Sequence, residues 1–241
     1  AVKATETSLT GVSEALKDFP EVQAVRERLL RQAADEYARL AKDRSDDPEL
    51  RAESARSLIR LGFVRMTLNE TQAAHDAVAE AVVLLKELTH PSDSVNVSGE
   101  LRLDLARSHT LMAMARQRLG KTDAQQQFTE AIAILSQLIA EHSEVSGSRV
   151  VEHRLARGDA RVQFAEALRE TGQFSDAVTI LELADEEFTQ FDIPDDTRFL
   201  HGHARVLNSL TSILLDLGRS ADALERSQQA QATWSQLVDL D

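Results

Sequence analysis

Chemistry in this chain would have to begin with histidine and carboxylate, because cysteine is absent and thiolate metal sites, disulfides and thiol nucleophiles go with it. Seven histidines are present. His201 and His203 are two residues apart, a spacing that turns them about 200° from one another on a helix. One metal ion needs ligands three or four residues apart. His109, and His153 beside Arg154, have no serine or carboxylate at a spacing that suggests a general base. The acidic runs Asp185-Glu186-Glu187 and Asp195-Asp196 have the composition of a carboxylate dyad. Such runs are more ordinarily solvated helix faces, or helix starts where the macrodipole favours negative charge. Gln125-Gln126-Gln127 is too short for a low-complexity tract. The expectation is a chain with no catalytic site, no metal and no cofactor.

The elements that position these residues can be read from composition. In 241 residues, 42% are hydrophobic but only 4% aromatic, so the core must be aliphatic and alanine-rich. Nine Gly and four Pro supply little turn chemistry for a many-stranded sheet, and Ala, Leu, Glu, Arg and Gln are strong helix formers. The net charge of −13 opposes nucleic acid as a partner and disfavours anionic membrane surfaces. No run approaches the roughly 18 to 20 apolar residues that span a bilayer, and Ala1 to Ser8 lack the apolar core of a signal peptide. The missing initiator Met suggests a processed or excised piece, which leaves room for a membrane anchor elsewhere. Compartment stays open, because a cysteine-free chain is stable in either redox environment.

Residues 1–13 read as a disordered lead-in and 14–241 as a single domain. A first helix is expected from about Pro20 to Lys42, capped near Asp18, with an apolar stripe at Val22, Val25, Leu29, Leu30, Ala33, Tyr37 and Leu40. Eight more are expected, at about 48–68, 71–89, 98–119, 122–143, 148–171, 174–190, 194–217 and 220 to 237 or beyond. His90 to Ser98 is the clearest loop, 144–147 a softer break, and Thr122 with Gln125 a capping-box pair. Gly158 lies inside a helix, where close packing is the commoner reason for it.

Four helical hairpins turn at Asn69, Gly120, Gly172 and Gly218, at intervals of 51, 52 and 46 residues. A recurring unit of this size marks a helical solenoid. Around the turns stand Leu58, Leu61-Gly62, Ala74, Val78 and Ala81; then His109, Met112-Ala113, Ala124, Phe128 and Ala131. The third unit has Phe164-Ala165, Leu168, Phe174, Ala177, Leu181 and Ala184, and the fourth Leu207, Leu210-Thr211, Leu214, Ala223 and Ala230. This pattern resembles the tetratricopeptide repeat (TPR), in units longer than the usual 34 residues, over about 51–241. The implied fold is all-α: a right-handed superhelical solenoid of about four TPR-like hairpins behind an N-terminal packing helix. More narrowly, the run Arg31 to Gly62, containing Tyr37 and Asp47-Pro48, is similar to the segment that enters the TPR region after the kinase domain and membrane helix of planctomycete-type serine/threonine protein kinases. Leu105 to Ala113 fits the same style. Nothing of a kinase is in this chain: there is no Gly-rich loop after a strand, no His-Arg-Asp and no Asp-Phe-Gly.

In a TPR stack the first helix of each unit lines the concave surface. The resemblance therefore assigns a groove to Arg56, Ile59, Phe63 and Met66; Arg107, Thr110, Met114 and Gln117; Asp159, Val162, Glu166 and Arg169; and Arg205, Asn208, Ser212 and Leu215. Arg56, Arg107 and Arg205 occupy one equivalent position. They form either a positive stripe for an acidic peptide or pairs with nearby Asp and Glu. The Lys and Asn of the chaperone-type carboxylate clamp are not at their positions. The expected function is a non-catalytic protein-interaction module binding a peptide or protein segment in the groove, as the sensor or scaffold region of a larger signalling kinase. The alternative is a structural, self-associating segment, a homo-oligomer with no peptide ligand. No nucleic acid and no direct membrane contact are expected.

Overall fold

The computed structural model describes residues 23–41, 47–89, 99–141, 148–191 and 196–240. The lead-in at 1–13, the Asp18–Pro20 helix start and the loop and breaks at 90–98, 144–147 and 192–195 lie outside them. Among the described residues all regular structure is α-helical. The helices are α1 (Gln23–Leu40), α2 (Pro48–Thr67), α3 (Thr71–Leu88), α4 (Gly99–Arg118), α5 (Ala124–Glu141), α6 (Ser148–Glu170), α7 (Phe174–Gln190), α8 (Thr197–Asp216) and α9 (Ser220–Leu240). They form consecutive hairpins, as the spacing of the turns predicts. The chain divides into two compact units, Ala1–Thr122 and Asp123–Asp241.

In the first unit, Leu30, Ala33 and Tyr37 of α1 bury against Leu58, Leu61 and Val64 of α2 and Ala77 and Ala81 of α3, so this part of the stripe on α1 finds its cover, whereas Val25 stays 45% exposed. Pro48 opens α2, where its missing N–H costs nothing. The Asp47 carboxylate accepts the Glu49 N–H at 2.9 Å and caps the helix. At Gly62 an added Cβ would run into Val78 of α3 and lie 3.2 Å from Leu111 of α4. This is the close backbone approach that the Leu61-Gly62 pair implies.

The second unit holds α5 to α9. Phe128 of α5 stacks on Phe164 of α6 with centroids 5.2 Å apart. Its core gathers Val162, Ala165 and Leu168 of α6, Ala177, Leu181, Ala184 and Phe188 of α7, Phe199, Val206 and Leu210 of α8, and Ala223 of α9. Asp196 caps α8, its carboxylate accepting the N–H groups of Arg198 and Phe199 at 3.0 and 3.2 Å.

All four turns have the same construction. The N–H groups of Glu70, Lys121, Gln173 and Arg219 reach back five residues to the carbonyls of Arg65, Arg116, Leu168 and Leu214 at 2.8 to 2.9 Å. Asn69, Gly120, Gly172 and Gly218 stand in the left-handed region with φ from 61 to 77°. These are Schellman caps, in which a left-handed residue lets two orphan carbonyls be satisfied. The connection after Gly120 is longer than the other three. Elsewhere the next helix starts two residues after the left-handed residue, but α5 starts at Ala124. Thr122 and Asp123 form a turn instead, so Thr122 lies one residue too early to serve as the expected N-cap.

Candidate functional site

The first-helix face of each unit carries the expected groove residues. In the first unit Arg56 projects from α2 and donates its Nε–H to Asp104 of α4 at 2.8 Å, with Glu53 and Glu100 at 3.5 and 3.7 Å. Burial lowers the proton affinity of Arg56, but the hydrogen bond and charge of Asp104, with Glu53, outweigh it and hold the guanidinium above its ordinary range. Arg107, on α4 itself, stands 3.9 Å from the other Asp104 oxygen. Thr110 turns its hydroxyl back onto the Ala106 carbonyl, and Gln117 is half-buried. Phe63 is 57% exposed.

Met66, expected in the groove, is buried instead. Arg118 reaches from α4 to the Met66 carbonyl at 3.2 Å, closing the two helices together at that end.

In the second unit Arg205 of α8 donates to Asp159 of α6 at 2.7 Å. Arg169 of α6 donates to Asp216 of α8 at 2.5 Å and has Glu166 at 3.4 Å. The bond to Asp216 is the main reason that the Arg169 guanidinium sits above its ordinary range. Asn208 is exposed, as is Leu215 at 55%. Val162 leaves the expected groove for the core, where it packs with Leu168 and Leu210. A depression of about 420 Å³ lies among Glu166, Arg169, Glu170, Phe174 and Asp216.

Of the two expectations for the arginines, pairing describes Arg56 and Arg205. Each meets an aspartate on the first helix of the neighbouring hairpin, and Arg169 repeats the arrangement. Each unit therefore presents charge pairs between first helices, and one of those helices also carries a large exposed apolar side chain at an expected groove position, Phe63 on α2 and Leu215 on α8.

Two polar clusters escape a reading by sequence run. His203 and Arg226 both meet Asp185 at 2.8 Å, while the His203 ring stacks on Phe188. His201 turns instead to the edge of Trp234, so the two histidines serve different partners. The run Asp185-Glu186-Glu187 lies in the second half of α7 and is no helix start; only Glu186 of the three is exposed. Glu187 is buried, accepting from Arg154, Arg157 and Arg161 of α6. The signal in the sequence was the spacing of those arginines, three and four residues apart on one helix face. Among the described residues no group of three or more His, Asp or Glu is placed to hold a metal ion.

No family model matches the chain, and no curated protein matches it. Solved structures do. The crystal structure of nearly identical TPR-like repeats from an assigned kinesin light chain of Podosopora anserina aligns with a TM-score of 0.52 at 19% identity, covering 95% of this chain and 94% of that one. A single-residue variant of that protein aligns with the same TM-score and identity over 94% and 92%. The chain is a TPR-like repeat protein by fold.

Proposed function

We propose that this TPR-like repeat protein is a non-catalytic interaction module that binds a peptide or protein segment on the first-helix faces of its hairpins. The supporting observation is that Phe63 and Leu215, large apolar side chains at expected groove positions, stand more than half exposed on α2 and α8, the same helices whose Arg56 and Arg205 form ion pairs with neighbouring first helices. A preorganised apolar anchor with charged neighbours limits the ordering cost of binding and supplies both affinity and register. Because Arg56, Arg169 and Arg205 already meet aspartates, the segment best suited to the face carries apolar side chains flanked by mixed charge. Placement beside a serine/threonine kinase is a further part of the proposal. It rests on the likeness of Arg31 to Gly62 to the segment entering such TPR regions, and the full open reading frame would test it.

Selection of a displayed peptide library on the purified chain tests the binding reading. Selected peptides should lose roughly tenfold or more in affinity, ~1.4 kcal/mol, on Phe63→Ser or Leu215→Ser. Both variants should keep the helical circular dichroism of the parent, since neither side chain belongs to a core. Selected peptides that bind both variants and Arg205→Glu as tightly as the parent would place recognition elsewhere.

A further inference from the structure

The densest charge in the second unit is not on the proposed binding face. Arg154, Arg157 and Arg161 lie on one side of α6 and converge on Glu187 of α7. Oε1 of Glu187 receives Arg154 Nη1 at 3.1 Å and Arg157 Nη2 at 2.6 Å. Oε2 receives Arg157 Nε at 3.0 Å and Arg161 Nη1 at 2.8 Å. A carboxylate has about four lone-pair directions, and all are now used. The side chains are only 8 to 14% exposed, so water screens the cluster poorly.

Three guanidinium groups thus face one saturated carboxylate, and a guanidinium does not give up its charge at physiological pH. Among the described residues the other acceptors are neutral: Ser136 Oγ of α5 for Arg157 at 3.0 Å and the Leu183 carbonyl for Arg161 at 2.9 Å. Arg154 lies over the Phe191 ring, 3.2 Å from its centroid, and its buried Nε has no acceptor among the described residues. Burial acts first on Arg154 and Arg161, pushing both below their ordinary range; Glu187 opposes this and Arg157 reinforces it. A buried, uncompensated charge costs several kcal/mol unless an opposite charge meets it.

We propose that the Arg154, Arg157 and Arg161 cluster is the binding site of a small dianionic oxyanion of the phosphate type. Charge and geometry select that class. Among the described residues two positive charges are in excess, guanidinium edges match the spacing of oxyanion oxygens, and side chains exposed by about a tenth admit a small group rather than a wide surface. The buried Nε of Arg154 supplies a donor without a partner, and the exposed Phe191 ring marks the side from which the group would enter.

Thermal melts of the whole chain in inorganic phosphate, against chloride at matched ionic strength, test this. Phosphate should raise the melting temperature saturably, by about 5 °C at a hundredfold excess over its dissociation constant. Sulfate should act similarly. Arg154→Gln should abolish the saturable part, leaving only the gradual rise that excluded salts give any protein, whereas Arg28→Gln on α1 should leave it unchanged. Phosphate titration of the unmodified chain by calorimetry, with one site expected, decides the matter even if Arg154→Gln does not fold. Absence of calorimetric binding, or a saturable shift that survives Arg154→Gln, overturns the proposal.

Discussion

Phe188 occupies a slot that two glycines keep open. A Cβ on Gly158 would lie 2.7 Å from its ring, one on Gly202 would lie 3.1 Å away, and Phe199 packs at a centroid distance of 4.7 Å. The ring is therefore held by α6 on one side and α8 on the other. Gly158→Ala should gain up to about 1 kcal/mol in helix propensity but lose about 1 to 3 kcal/mol to overpacking, because the ring has nowhere to move. The expected outcome is a net fall of about 1 kcal/mol, read as a melting temperature lower by roughly 2 to 4 °C. A variant as stable as the parent would mean that the slot is slack. Close packing was legible at Gly158 because glycine inside a helix needs a reason. Its partner was not, since Phe188 lies thirty residues away and no local pattern names it. The same limit hid Glu187: within its acidic run it looks solvated, and only the packing of α6 on α7 surrounds it with arginine.

Helix ends were the most legible elements, because caps are local chemistry. Proline at the start of α2 and glycine after α4, α6 and α8 each act where the pattern places them; the start of α5 moved, displaced by the turn at Thr122 and Asp123, and α8, expected from about Pro194, starts at Thr197 behind the Asp196 cap. Asp196 carries a testable consequence at this scale. Its hydrogen bond to the Arg198 side chain, with those to the Phe199 and Arg198 N–H groups, holds its carboxyl below the usual aspartate range. A group whose folded pKa is depressed stabilises fully above its unfolded value, near 4, and loses that contribution as pH falls through the folded value. Asp196→Ala should therefore be less stable than the parent by about 0.5 to 2 kcal/mol at neutral pH. In urea titrations the gap should narrow from about pH 4 downward as the parent's own carboxyl takes up its proton. A gap that stays constant through the acid range would show that the charge of Asp196 contributes nothing to the cap.

At the scale of the molecule, the repeat was visible from four turn residues and the small residues after them, whereas the pairing of charges across hairpins was not. Arg56 finds Asp104 forty-eight positions on, and Arg205 finds Asp159 forty-six positions back. The second separation equals the 46-residue interval between its turns and the first falls three short of its 51, so which acid is chosen depends on how two first helices are rotated. In a repeat array each element leans mainly on its neighbours, so stability is close to a sum of local terms. Here Leu30 to Ala81 form one core within the first unit and Val162 to Ala223 another within the second. Gly62→Ala, which drives a methyl into Val78, should accelerate native-state hydrogen exchange in α2, α3 and α4. Gly158→Ala should do so in α6, α7 and α8, and neither should much change exchange in the other unit. Equal acceleration of all nine described helices by either variant would instead require one cooperative core, in which a packing error is shared by the whole chain and not confined to the helices that touch it.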